Sequence, residues 1–295
     1  MTDIIKLLRP QQWIKNLFVF LPLFFDRHLF DAGYLVPCIL VFLAFCLAAS
    51  GIYCFNDIHD AEADRDHTEK RNRPIASGKV SKATGYIAML VCFVLSVAVM
   101  CFIHTATGRN GLIFLVIGVY VVMNIAYTLL LKHIAIVDVF VIAAGFVLRV
   151  LAGGVATGIH LTHWIVLMTF LLALFLAFAK RRDDVVAFEN SGVAMRKTAN
   201  RYNLRFLNTA TSIVGSITMV CYIMYTVSPE VVERFGSPYV YLTSIFVLAG
   251  IIRYLQIMTV EVKSGDPTQV ILKDRFIQGC VIGWLLAFAL IIYYL

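Results

Sequence analysis

Acidic side chains are concentrated in residues 56–69, which read NDIHDAEADRDHTE and directly follow an apolar run. If the helix predicted for that run continues, successive side chains are rotated by about 100°. Glu62 and Asp66 then point away from the other polar positions. Four residues share one quadrant of the helix surface, spread over about 12 Å along its axis: Asn56, Asp57, Asp60 and Asp64.

This pattern of oxygen ligands predicts a magnesium site. Mg²⁺ commonly takes one or two carboxylates, keeps several waters and completes its shell with substrate phosphate. We therefore predict that Asn56, Asp57, Asp60 and Asp64 bind the metal, with the three aspartates as catalytic groups. The alternative is an acidic helix end that is only solvated and is balanced by the cations that follow it.

The cations that follow are arranged to suit phosphate. The sequence KRNRPI places Lys70, Arg71 and Arg73 directly after the acidic residues. Guanidinium groups match phosphate oxygens in a two-pronged geometry, so these residues are predicted to bind a phosphorylated substrate. The alternative is the ordinary excess of positive charge on the cytoplasmic side of a membrane protein.

The composition indicates an integral membrane protein. The 295 residues are 60% hydrophobic and only 15% charged, with a mean hydropathy of +0.84, whereas soluble domains are about 45–50% apolar. Residues 1–16 are polar and basic, so we expect no cleaved signal peptide. We predict an all-α fold of nine membrane spans in a single domain, residues 1–295. The spans are 17–30, 35–55, 84–104, 111–131, 136–156, 162–180, 207–227, 238–258 and 276–295.

Charge alternates between the loops and predicts the orientation. Twenty Lys and Arg residues fall on the side that carries the N-terminus, against three on the other side. Such an excess marks the cytoplasmic side, so we place the N-terminus and the active site in the cytoplasm, at the inner (plasma) membrane. Because topology accounts for the net charge of +7, no nucleic-acid partner is expected. The sequence leaves homo-oligomerisation open.

NDIHDAEAD followed by KRNRPI resembles the first aspartate-rich motif of the UbiA superfamily of intramembrane prenyltransferases. The resemblance implies a bundle of nine transmembrane helices in which Mg²⁺ binds a diphosphate near the cytoplasmic end. Members that use prenyl diphosphates typically carry a second D-x-x-x-D in a later loop. Here that loop begins AKRRDD, and Lys180 stands one turn before Asp184, where an aspartate would be expected.

The whole chain resembles the decaprenyl-phosphate phosphoribosyltransferase branch of this superfamily. The matching segments include RPQQWIKN, AYTLLLKHIAIVDV and FVLRVLAGGVATGI. The resemblance implies transfer of a phosphoribosyl group from phosphoribosyl pyrophosphate to a polyprenyl phosphate in the membrane. It also implies Lys180 as a catalytic residue, and contacts to substrate from Lys15, Tyr127, Lys132, Arg181, Asp184 and Lys197.

The span 136–156 contains two charged residues on one face. Asp138 and Arg149 are eleven residues apart, which is about 20° of rotation but about 16 Å along the axis. An isolated charge in a span costs at least ~2.5–3.5 kcal/mol, so both are predicted to line a polar substrate channel. The alternative is that Arg149 is bonded to a carbonyl or packed between helices.

Two other functions fit parts of the pattern. The first is a UbiA-type enzyme that moves a polyprenyl group onto an aromatic acceptor, against which the missing second D-x-x-x-D counts. The second is a transporter whose intramembrane charges line a pathway. Against it, no pair of broken spans repeats between the two halves of the sequence.

Overall fold

The structure is a computed structural model that describes residues 2–66, 70–107, 111–191, 202–261, 270 and 272–294. All regular structure in these ranges is helical. The α-helices are α1 (Thr2–Leu8), α2 (Leu21–Phe25), α3 (Ala32–His59), α4 (Ala61–Arg65), α5 (Lys82–Thr107), α6 (Leu112–Leu129), α7 (Val137–Thr157), α8 (His163–Ser191), α9 (Leu204–Val227), α10 (Pro229–Phe235), α11 (Ser244–Gln256) and α12 (Arg275–Tyr294). Shorter 3₁₀ and π segments are Pro10–Phe20, Lys70–Asn72, Leu131–His133, Pro238–Thr243 and Ile257–Glu261.

Seven helical segments in the described ranges are long and apolar enough to cross a membrane, so the chain is a multi-pass membrane protein. They coincide with seven of the nine predicted spans. The predicted span 17–30 falls instead on the end of Pro10–Phe20 and on α2, and the last predicted span falls on α12. The seven segments are Ala32–His59, Lys82–His104, Leu112–Leu129, Val137–Thr157, His163–Ala187, Leu204–Val227 and Pro238–Glu261.

The chain divides into two compact units, of which the first is Met1–Thr162. In this unit α3 packs along α5 and also contacts α6, α7 and the 3₁₀ segment Pro10–Phe20. Small residues let these elements approach closely, as is usual between membrane helices. A Cβ on Gly153 of α7 would lie 2.0 Å from the carbonyl oxygen of Val19, so only glycine fits where Pro10–Phe20 crosses α7.

The end of α3 departs from the continuous helix on which the sequence prediction depended. The helix does continue past the apolar run, but it ends at His59, and Asp60 is the residue between α3 and α4. The peptide of Asp60 still bonds back to Asn56, and that of Asp64 to Asp60. Asp64 therefore lies on a second, short helix instead of the next turn of α3.

The second unit is His163–Leu295. Here α9 packs on α8, and α11 packs on both α9 and α12. A polar contact ties three of its elements together: Trp284 donates to the hydroxyl of Tyr222 at 2.6 Å, and that hydroxyl lies 2.6 Å from the hydroxyl of Thr243.

Candidate active site

An apolar cluster positions the charged residues at the end of α3. Leu7, Cys54, Ile58, Ala61 and Ile75 are buried together, and burial of each leucine or isoleucine contributes about 1.5–3 kcal/mol. The charged residues are their near neighbours in sequence. Arg9 follows Leu7 by two positions, Arg73 precedes Ile75 by two, and Asp57 directly precedes Ile58.

Asp57 is the most deeply buried of the acids predicted to bind the metal, with its side chain 1% exposed. Its Oδ1 accepts a hydrogen bond of 2.5 Å from Nη2 of Arg9 and lies 3.3 Å from Nη1 of Arg73. Arg9 itself has a left-handed backbone, with φ of 52° and ψ of 55°, which a non-glycine residue adopts at a cost of about 1–3 kcal/mol. Its guanidinium also lies 5.2 Å from the centre of the Tyr53 ring.

Arg73 joins the two buried acids. The same Nη1 atom that approaches Asp57 also donates a hydrogen bond of 2.7 Å to Oδ2 of Asp64, whose side chain is 6% exposed. One guanidinium nitrogen thus lies between two carboxylates and is within ion-pair distance of both. We call Arg9, Asp57, Asp64 and Arg73 the α3 cluster.

The other two predicted metal ligands have different partners. Lys132, from the turn after α6, donates a hydrogen bond of 2.5 Å to Oδ1 of Asp60, whose side chain is 29% exposed. Asn56 accepts a hydrogen bond from the hydroxyl of Thr128 near the end of α6. Two residues near the C-terminal end of α6 thus contact the acidic motif.

A divalent ion fits the α3 cluster. Oδ2 of Asp57 is buried and has no hydrogen-bond partner in the described part of the chain. Such an atom costs about 1–3 kcal/mol, a cost that a bound cation would remove. No three His, Cys, Asp or Glu side chains in the described ranges are grouped closely enough to hold an ion by themselves. Mg²⁺ does not need three, because water and substrate phosphate complete its shell.

Arg149 lies in a packed environment inside the first unit. Its three nitrogens donate to Oδ1 of Asn16 (2.7 Å), the carbonyl of Gly145 (2.7 Å) and the hydroxyl of Tyr120 (3.2 Å). Its guanidinium lies 5.0–5.2 Å from the centres of three aromatic rings, those of Phe45, Tyr120 and Phe146. These contacts favour the packing alternative over the predicted substrate channel. Asp138 is fully buried in the first turn of the same helix.

Three predicted residues of the segment AKRRDD lie on α8, in the second unit: Lys180, Arg181 and Asp184. Arg181 is 2% exposed and its Nη1 is 3.2 Å from Oδ2 of Asp184. Lys180 is half-buried. Arg182, the next cation of the same run, is also buried and donates a hydrogen bond of 2.7 Å to Oδ1 of Asn208 on α9.

The remaining predicted residues have these positions. Lys15, Lys70 and Tyr127 are half-buried, and Arg71 is exposed. Lys197 lies outside the described residues.

Sequence reasoning missed Arg9, Thr128 and Asn16. Arg9 and Asn16 both lie in RPQQWIKN, from which only Lys15 was selected. The available signal for Arg9 was a cation between two leucines and a proline. It was counted only as cytoplasmic positive charge. Thr128 gave no signal, because a threonine in an apolar span is ordinarily bonded to its own helix, as it also is here through the Asn124 carbonyl.

Comparison with known proteins supplies a family for this arrangement. The model of the UbiA prenyltransferase family matches residues 27–277. A protein named decaprenyl-phosphate phosphoribosyltransferase from Corynebacterium glutamicum is 31% identical over 294 residues, covering 98% of this chain and 86% of the relative. A protein of the same name from Mycolicibacterium smegmatis is 32% identical over 303 residues, covering 99% and 93%.

A solved structure agrees on the fold. A UbiA homologue from Archaeoglobus fulgidus bound to GPP and Mg²⁺ superposes with a TM-score of 0.73 at 18% identity, covering 97% of this chain and 98% of that one. The all-helical membrane fold predicted from the sequence is thereby confirmed.

Proposed function

The chain belongs to the UbiA prenyltransferase family, and within this family we propose that it is a polyprenyl-phosphate phosphoribosyltransferase. It transfers a 5-phosphoribosyl group from phosphoribosyl pyrophosphate to the phosphate of a decaprenyl-type lipid and releases pyrophosphate. One observation carries this proposal: the similarity to two relatives named for that transfer extends over 98% and 99% of the chain.

The acidic residues are proposed as the metal ligands. Asp57 and Asp64, with Asn56 and Asp60, would hold Mg²⁺, which neutralises charge on a leaving pyrophosphate. The burial of Asp57 and the open lone pair on its Oδ2 support this assignment. The UbiA homologue from Archaeoglobus fulgidus, whose structure contains Mg²⁺, supports it by fold.

The cations of the chain offset the repulsion between two anionic substrates. As the bond from the anomeric carbon to pyrophosphate breaks, that carbon gains oxocarbenium character, as in other glycosyl transfers. An oxygen of the lipid phosphate attacks from the opposite face, and the carbon is inverted. This oxygen is already anionic, so no general base is required. The proposed phosphate-binding cations are Lys15, Lys70, Arg71, Arg73, Lys132, Lys180, Arg181 and Lys197.

The α3 cluster lies at the end of an apolar helix. This position suits a soluble, anionic donor and an acceptor whose tail stays in the lipid.

The first predicted span, on which the orientation depends, is supported by contacts at both ends of α3. Arg9 bonds to Asp57 near its C-terminal end, while Asp31 caps its N-terminus. The chain from Arg9 to Asp31 must therefore run the length of α3, which has 28 residues and is about 42 Å long.

Pro10–Phe20 and α2 together are long enough to cross the membrane, because a 3₁₀ helix rises further per residue than an α-helix. Eleven residues of 3₁₀ helix and five of α-helix rise about 30 Å, the thickness of the hydrocarbon core. We therefore keep nine crossings in a single domain, residues 1–295, with the N-terminus and acidic motif in the cytoplasm at the plasma membrane. Reporter fusions that are active on only one side of the membrane test this orientation.

The deciding experiment uses purified full-length protein in detergent with Mg²⁺, labelled phosphoribosyl pyrophosphate and a polyprenyl phosphate. We expect the label to enter the organic phase and to stay in water when a chelator is added. If transfer instead requires a prenyl diphosphate and an aromatic acid, the prenyltransferase alternative is correct and the proposal is wrong.

Lys180 is proposed to contact the donor, since it replaces a carboxylate of the prenyl-diphosphate enzymes. Lys180→Ala should raise the apparent KM for phosphoribosyl pyrophosphate far more than that for the lipid. An equal change in both values would remove this assignment.

A further inference from the structure

We infer that Arg9 and Arg73 are exchangeable counter-ions. They neutralise Asp57 and Asp64 while the metal is absent, and they transfer to the donor's diphosphate oxygens when a divalent ion binds the acids. Metal ion and diphosphate therefore bind as a coupled pair. This inference depends on the proposed function, because it concerns the same metal and donor.

The first observation is where the guanidinium groups lie. Nη1 of Arg73 lies between Oδ1 of Asp57 at 3.3 Å and Oδ2 of Asp64 at 2.7 Å, and Nη2 of Arg9 is 2.5 Å from the same Asp57 oxygen. Both cations thus approach one oxygen of Asp57, while its Oδ2 has no hydrogen-bond partner among the described residues. Oδ2 therefore still lacks the partner that a bound cation would supply.

The second observation is which partner can move. The side chains of Arg9 and Arg73 are 21% and 26% exposed, whereas those of Asp57 and Asp64 are 1% and 6% exposed. The acids are fixed by burial, and the cations reach them from the more open side. In the pair on α8 the burial is reversed: Arg181 is 2% exposed and Asp184 is 17% exposed, so there the acid lies on the more open side.

The third step concerns charge. A divalent ion that enters beside two retained guanidinium groups meets like charge, which opposes its binding. Phosphate oxygens remove this obstacle, because they accept guanidinium hydrogen bonds with a good geometric match. Each ligand therefore assists the other, and the assistance must be reciprocal. The arrangement favours uptake of the donor and metal together over metal alone.

Equilibrium dialysis of the full-length protein in detergent measures this coupling with Mn²⁺ and inorganic pyrophosphate. Dialysis equalises the free ion and its soluble pyrophosphate complex, so the excess on the protein side is bound metal. At equal free Mn²⁺, we expect saturating pyrophosphate to raise the affinity of the wild type on the order of 10-fold.

Two substitutions separate counter-ion exchange from general electrostatics. Arg73→Gln and Arg9→Gln should each bind Mn²⁺ several-fold more tightly than the wild type without pyrophosphate and should show a smaller effect of pyrophosphate. Lys82→Gln is the matched control. It also removes one cation near the motif, but Lys82 pairs with the exposed Glu62 at 3.3 Å. The Mn²⁺ affinity of this variant, with and without pyrophosphate, should therefore equal that of the wild type.

The inference is wrong if both arginine variants bind Mn²⁺ no more tightly than Lys82→Gln, or if pyrophosphate leaves the wild-type affinity unchanged. If only one arginine variant folds, judged by its elution profile, that variant decides. These results are independent of the transfer assay. Coupling without phosphoribosyl transfer would overturn the proposed function alone, and transfer without coupling would overturn this inference alone.

Discussion

Two arginines in the described part of this chain each lie between two carboxylates, yet the acids differ in burial. In the α3 cluster both acids are almost fully buried, and Oδ2 of Asp57 has no hydrogen-bond partner among the residues that the structure describes. In the second unit, Arg253 lies 2.7 Å from Glu261 and 2.8 Å from Asp274. The side chains of those acids are 36% and 17% exposed. Asp274 also accepts a hydrogen bond from the peptide of Ile277 in the first turn of α12.

The difference separates a site that is prepared for a ligand from a clamp that holds two segments together. Exposed ion pairs contribute little and are replaced by water at low cost. A buried carboxylate with an open lone pair is costly, and a bound cation offsets that cost. We therefore expect function to depend on the acids of the α3 cluster and not on those beside Arg253.

The largest expected effect is on transfer by Asp64→Asn. This change keeps the size of the side chain but removes one of the two acids that Arg73 joins. Loss of the metal and of its charge stabilisation should lower kcat roughly 100- to 1,000-fold, measured as labelled phosphoribosyl lipid per unit of folded protein. We expect a large loss for Asp60→Asn as well.

Glu62→Gln is the matched control for the acidic motif. It removes a carboxylate two positions from Asp64, but the side chain of Glu62 is 82% exposed. Transfer should stay within about twofold of the wild type, as for most surface substitutions. Equal losses in Glu62→Gln and Asp64→Asn would show that overall negative charge matters and that the buried pair has no special role.

The next effect is that of Gly153→Ala, which tests whether the α3 cluster depends on the segment that carries Arg9. The added Cβ would lie 2.0 Å from the carbonyl oxygen of Val19, so Pro10–Phe20 must shift. We expect a loss of about 3 kcal/mol in stability, seen as a lower melting temperature, together with reduced transfer. Gly118→Ala is the control, because apart from the adjacent backbone of its own helix no atom of the described residues lies within 4 Å of the added Cβ, and alanine favours helix.

A third arginine, Arg149, has partners in the described part of the chain that are not carboxylates. The partners of Arg149 are an amide, a carbonyl, a hydroxyl and aromatic faces. Arg149→Lys keeps the charge but cannot reproduce this planar set of donors, and we expect a loss of about 2 kcal/mol in stability. If the melting temperature is unchanged and the substrate KM rises, the predicted substrate channel is correct and the packing role is wrong.

Local pattern was sufficient for the long helices and for the location of the acidic motif. Seven spans are continuous apolar runs, and the motif follows one of them without a spacer, so neither prediction needed long-range information. The angular argument for Asp64 assumed one continuous helix, whereas α3 ends at His59 and α4 starts at Ala61. Asp64 and Asp57 are nevertheless joined, because Arg73 lies between them.

The counter-ions could not be found from spacing. Arg9 lies 48 positions before Asp57, and Lys132 lies 72 positions after Asp60, so both contacts follow from packing. The 3₁₀ segment that carries Asn16 to Arg149 was read as a polar, basic N-terminus up to residue 16 and as the start of the first span from residue 17. Hydropathy predicts that a segment is buried, but it does not predict its helical rise or what it touches.

The smallest effect is expected at Asp274, and it sharpens the comparison through pH. Hydrogen bonds from Arg253 hold the pKa of Asp274 below its usual value, and the peptide of Ile277 adds to this shift. A carboxylate with a lowered pKa in the folded state stabilises the protein above its unfolded pKa of about 3.9. That stabilisation is lost as the pH falls through the folded value.

Asp274→Asn should therefore slightly lower the melting temperature at neutral pH, lose less of it on acidification than the wild type, and leave phosphoribosyl transfer within about twofold. Thermal melts at several acidic pH values, combined with one transfer assay, test all three expectations. A loss of transfer comparable to that of Asp64→Asn would mean that a half-buried acid–arginine clamp is as important for function as a deeply buried one. Burial of the acids would then no longer distinguish the two arginines.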